Sequence, residues 1–181
     1  RGDWRNHPEN SIPAIKSAIE MGADIVELDV ALTADSVLVL CHDRTVDRTA
    51  TGSGAVSDLT LEQIRSLRLY AGHRAQATEL LMPTLREAME LCKDRIVINI
   101  DKGYEYYDLV QKLGDELGMT EQLLIKGGIA ADDVKGKFAS YATNMMFMPI
   151  ISPAGEKGRR LLEQYLTEGN RPPAVEVCWN E

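Results

Sequence analysis

The chain has 181 residues, 44% of them hydrophobic and 27% charged, which is one domain's worth of globular composition. A formal net charge of −8 argues against a nucleic-acid partner, which needs clustered Lys and Arg. No apolar run approaches the length of a membrane span, and Cys41, Cys92 and Cys178 are too scattered for a disulfide framework or a zinc site.

Residues 1–10 are polar and irregular. Ser11 then supplies an N-cap, Pro13 fits a first helical turn, and Ile12, Ile15 and Ile19 recur with helical spacing. Gly22 stops that helix. Gly22 to Val30 follows as an apolar, β-branched strand that nevertheless carries Glu27 and Asp29. Residues two apart on a strand share a face, so both carboxylates point one way and Val26, Leu28 and Val30 the other. Two such charges on a buried strand are costly unless a positive charge sits between them. A hard divalent cation, Mg²⁺ or Ca²⁺, is the simplest partner; the alternative is a strand end in water with two solvated acids.

A turn at Thr33–Ser36 leads into a strand from Val37 to Cys41 that ends on His42-Asp43. Residues 44–59 form a polar loop, and Asp58 or Thr60 can cap a short helix running toward Leu69. Tyr70 to Leu81 has no clear period and reads as an excursion from the scaffold. Thr84 caps a helix to about Lys93, and Arg95 to Ile100 is a strand ending on Asp101-Lys102-Gly103. Helix and strand then alternate: a helix over Tyr106–Leu117 stopped by Gly118, a strand over Leu123–Lys126 and a helix near Asp132–Ser140. A strand over Met145–Ile151, a helix over Gly155–Glu168 and a last strand over Ala174–Trp179 complete the chain. Such alternation means a parallel sheet covered by helices, with six strands in all. His42, Asp101, Lys126 and the Glu27/Asp29 pair all fall at C-terminal strand ends, the edge where parallel α/β folds bind ligands. His7 and His73 fall in loops and read as surface residues.

The run Arg1-Gly2, Pro8-Glu9-Asn10-Ser11, Gly22-Ala23-Asp24, Glu27-Leu28-Asp29-Val30 and His42-Asp43 resembles the glycerophosphodiester phosphodiesterase family. Asp47-Arg48-Thr49, Gly52-Ser53-Gly54 and Pro83-Thr84-Leu85 extend the likeness over the first hundred residues. The resemblance implies a single (β/α)8 TIM barrel, incomplete here, with a small insertion around 44–81. It further implies metal-dependent hydrolysis of glycerophosphodiesters, small-molecule substrates, to glycerol 3-phosphate and an alcohol.

Carried over residue by residue, the resemblance makes Glu27 and Asp29 metal ligands, His42 one of two catalytic histidines and Arg1 a catalytic contact to the substrate phosphate. The family's third ligand is a glutamate; Asp101 stands in its place, one methylene shorter. Lys102 follows directly, where the family has a lysine two residues on, so Lys102 and Lys126 are both candidates for the phosphate. The rival enzyme reading is a phospholipase D-like or lysophospholipid-cleaving activity, with Met145, Met146, Phe147 and Met148 lining an acyl groove. A binding module without chemistry is the rival of another class. The family's first catalytic histidine precedes the Arg-Gly pair, and its barrel has eight strands. The chain is therefore expected to be a fragment, inactive alone, of a parent with histidine before Arg1.

Overall fold

The structure is a computed structural model that describes residues 1–71, 76–131, 133–134, 145–152, 155–167 and 172–178. Helix α1 (Ile12–Glu20) starts where Ser11 accepts a hydrogen bond from the Ala14 amide, and Gly22 ends it with a φ of 80°. Strand β1 (Ile25–Leu32) pairs with β2 (Leu38–Leu40). The polar segment that follows contains helix α2 (Leu61–Arg65), capped by Thr60 and Gln63, and two short strands, β3 (Tyr70–Ala71) and β4 (Gln76–Ala77). Helix α3 (Leu85–Cys92) is opened by a capping box between Thr84 and Glu87. Strand β5 (Val97–Asp101), helix α4 (Tyr107–Leu117), strand β6 (Leu123–Gly127) and strand β7 (Met146–Ile151) come next. Helix α5 (Glu156–Thr167) and strand β8 (Glu176–Val177) complete the order. Of the helix expected near Asp132–Ser140 only Asp133 and Val134, both helical, are described, and the expected surface residue His73 lies outside the described residues.

One sheet of six strands runs β2-β1-β5-β6-β7-β8, parallel throughout except for the β1–β2 pair. Antiparallel pairing corrects the expectation that every strand delivers its C-terminal end in the same direction. Only residues 33–37 separate β1 from β2, and a parallel crossover needs a dozen or more. β1 therefore continues past the rim, turns through Thr33–Ser36, and β2 descends beside it. Leu40 lies opposite Val30, and the Cys41 amide donates to the Asp29 carbonyl at 3.1 Å. His42 thus arrives at the ligand-binding edge from above.

One face of the sheet meets the helices. Val26, Leu28, Val30, Ile98, Ile100, Leu123 and Ile125 pack there against Ile15, Leu85, Ala88, Met89 and Val110, all buried. The hydrophobic effect holds this layer, at roughly 1.5–3 kcal/mol for each fully buried large side chain. The opposite face carries Glu27, Asp29, Asn99 and Asp101. Pleating also splits the Met145–Met148 run: Met145 and Phe147 join the helix-facing core, whereas Met146 and Met148 alternate with them. Four consecutive residues therefore do not line one groove. A second, smaller core of Val39, Cys41, Val46, Ala50, Val56, Ile64, Leu69 and Met82 lies beneath residues 44–81.

All three cysteines are free thiols. Burial pushes the Cys41 thiol up to about 11 and the Cys92 thiol up to about 12, whereas Cys178 is partly exposed. Because the thiolate is the reactive form, a disulfide reagent at pH 8 should modify Cys178 promptly and Cys41 and Cys92 only after unfolding. Native reaction of Cys92 as fast as Cys178 would contradict the packing of α3.

Candidate metal and phosphate site

Glu27 and Asp29 on β1 lie beside Asn99 and Asp101 on β5 in parallel register. That pairing makes a four-residue polar patch from two strands. Ligand oxygens of Glu27, Asp29 and Asp101 come within 4.8 Å of one another. The separation of Asp101 from the pair by some seventy residues is erased by the β1–β5 ladder.

Asp29 is the most constrained of the three, with no exposed surface. Its Oδ2 accepts from Asn10 Nδ2 at 2.9 Å and lies 3.2 Å from Arg1 Nε, while its amide donates to Asn10 Oδ1. Asn10 holds this reciprocal pose with a φ of 56°, a left-handed conformation that asparagine tolerates better than most residues. Asp29 Oδ1 is buried without a hydrogen-bond partner. Burial above all, and then the neighbouring Glu27 charge, raise the Asp29 carboxyl above its ordinary value against the opposing pull of Asn10 and Arg1. An orphaned carboxylate oxygen amid two further carboxylates fits a hard divalent cation.

Lys126 is nearly buried, and its ammonium faces three acids. Nζ donates to Glu176 Oε2 at 3.1 Å and stands 3.6 Å from Asp101 Oδ1 and 3.8 Å from Glu27 Oε1. Burial pushes the Lys126 pKa down, but the Glu176 hydrogen bond and the Asp101, Glu176 and Glu27 charges together outweigh it and leave it raised. No local sequence signal singles out Glu176. Strand alternation alone gives its face but not its register against β6, two strands away.

His42 Nδ1 lies 2.6 Å from Asp43 Oδ1. Asp43 is gripped by Arg48, whose Nε and Nη2 donate to it at 2.7 and 3.1 Å, and Arg48 in turn gives two 2.8 Å bonds to Glu9. Glu9 also lies 3.6 Å from Arg1 Nη1. Arg48 first, with help from His42, holds the Asp43 carboxyl well below the usual carboxylate range, so Asp43 is ionised and only accepts. The His42 proton therefore sits on Nδ1, and Nε2 has no hydrogen-bond partner among the described residues. Lys102, a candidate for the phosphate, instead donates through Nζ to the His42 carbonyl, from a backbone φ of 60°. His7, expected at the surface, is half-buried.

Gly2 sets Arg1 on this network. Its φ is 68°, and a Cβ there would stand 2.6 Å from the Ala14 carbonyl carbon of α1. Only glycine lets the first loop pass so close to the helix.

Glu9 is likewise lowered, chiefly by its bonds to Arg48. A depressed carboxylate contributes stability that is present above its unfolded value and lost as pH falls through the folded one. Arg48→Met should therefore cost about 1–2 kcal/mol at pH 7, as expected for partly exposed charge-assisted bonds. Urea unfolding at pH 7 and in steps below pH 4 should show that difference shrinking with acidification; a pH-independent difference would remove Glu9 and Asp43 from the account.

Residues 1–124 match the model of the glycerophosphoryl diester phosphodiesterase family. A glycerophosphodiester phosphodiesterase of Caldanaerobacter subterraneus is 48% identical over 109 residues, covering 56% of this chain and 42% of the relative. The chain spans under half the length of the curated relatives it matches. Among solved structures, a glycerophosphodiester phosphodiesterase from Thermotoga maritima superposes with a TM-score of 0.73 at 26% identity, over 98% of this chain and 70% of that one. An Oleispira antarctica phosphodiesterase, solved in complex with the product sn-glycerol-3-phosphate, gives a TM-score of 0.77 at 20% identity, over 98% and 72%. These likenesses identify the six-stranded sheet as part of a TIM barrel, and the chain belongs to the glycerophosphoryl diester phosphodiesterase family.

Proposed function

We propose that the chain carries the catalytic edge of an enzyme that hydrolyses glycerophosphodiesters to sn-glycerol 3-phosphate and an alcohol. The observation that carries the reading is the convergence of the Glu27, Asp29 and Asp101 oxygens within 4.8 Å, beside two cations and a histidine with a free Nε2. A divalent cation held there, Mg²⁺ or Ca²⁺, would offset charge on a phosphate oxygen and lower the pKa of a bound hydroxyl.

The remaining work falls to the chain's own side chains. Arg1 presents a fixed fork of donors, suited to a non-bridging phosphate oxygen. Lys126 supplies a second positive charge, and it is preferred to Lys102, whose ammonium is engaged with the His42 carbonyl. His42 exchanges protons through Nε2. As one of the two histidines that the resemblance implies, it serves one side of the phosphorus, either delivering a proton to the departing alkoxide or taking one from the attacking hydroxyl. Asp43 stabilises the imidazolium and fixes the ring, because it stays ionised in the grip of Arg48.

His42→Ala should lower kcat by roughly 10²–10⁴-fold with metal affinity little changed, and Lys126→Met should raise KM. The check is release of glycerol 3-phosphate from a glycerophosphodiester with Mg²⁺ or Ca²⁺, by this chain and by a longer parent. A parent that releases none would favour the non-catalytic binding module.

A further inference from the structure

We infer that Glu176 is a positioning residue that draws the Lys126 ammonium away from the Glu27 and Asp101 carboxylates and thereby sets the affinity of the site for its cation. The inference rests on the metal reading of those carboxylates. Lys126 lies on β6 and Glu176 on β8, two strands along the sheet.

Geometry separates the partners of Lys126 into two kinds. Among the described residues only Glu176 is within hydrogen-bond reach, at 3.1 Å; Asp101 and Glu27 attract the ammonium from 3.6 and 3.8 Å without bonding it. An ammonium and a divalent cation compete for the same acidic oxygens, since each satisfies the charge that the other would. A four-carbon stem on β6 gives Nζ enough reach to close on either side. The bias comes from β8. Lys126 lies in register with Met148 and Glu176 with Ile150, so the Glu176 carboxylate pulls diagonally across β7, from the side opposite β5. Glu176 Oε1 is in turn met by Cys178 Sγ at 3.7 Å. Without the Glu176 charge, the nearest acids left to Lys126 among the described residues are Asp101 and Glu27, two of the three proposed ligands.

Isothermal titration of Mg²⁺ and Ca²⁺ into the protein and three variants tests this. Glu176→Gln should weaken cation binding by roughly 10–100-fold, the range found when a group behind the ligands is lost. Lys126→Met should tighten binding, and in that background the Glu176→Gln change should have little further effect. Undiminished affinity in the single Glu176→Gln variant overturns the inference. So does an equal loss with and without Lys126, because a direct ligand or a loosened β8 would act regardless of the ammonium. A wild-type protein that takes up neither cation fails the metal reading itself, and the inference falls with it.

Discussion

Removing the Asp29 carboxylate from water is the constraint on which the site depends. A lone ionised carboxylate in a protein interior costs several kcal/mol or takes up a proton. Here it is met on one oxygen by Asn10 and Arg1 and left open on the other. The rest of the rim is built to supply that carboxylate with counter-charge. Asn10 adopts a left-handed backbone to reach it, and Gly2 gives up a side chain so that Arg1 can approach. Desolvation strengthens every charge–charge contact in the vicinity, so the same burial that strains Asp29 makes the cluster attractive to a cation.

Two connected systems surround the cluster. On one side, Arg1, Glu9, Arg48 and Asp43 form a chain of alternating charge that runs from the first loop to His42 at the end of β2. On the other, Lys126 and Glu176 close the inner face from β6 and β8. Alternation of sign matters: Arg48, set between Glu9 and Asp43, lowers both carboxyls.

Local signals were legible in the sequence wherever the physics is local. Ser11, Thr60, Thr84 and Gly118 mark helix ends by side-chain capping or a left-handed turn, and the structure uses all four. The shared face of Glu27 and Asp29 follows from strand periodicity alone. The direction of β2 was also written in the sequence, in a linker too short for a crossover, but the alternation of the later chain masked it. Register was not legible. Asn10 reaches Asp29 through tertiary approach, and Glu176 meets Lys126 only after three strands are aligned, so neither partnership leaves a mark on its own neighbourhood.

The tie between Lys102 and the His42 carbonyl joins two parts of the site that the chain keeps sixty residues apart. Lys102 follows Asp101 without an intervening residue and is fixed in a left-handed turn with little freedom to absorb displacement. The end of β5 and the end of β2 therefore behave as one jointed link: a shift of the Asp101 main chain pulls on the backbone that carries the imidazole. The proposed metal ligand Asp101 and the proposed proton carrier His42 thus share a tether, so a substitution that shifts the end of β5 bears on the alignment of the imidazole.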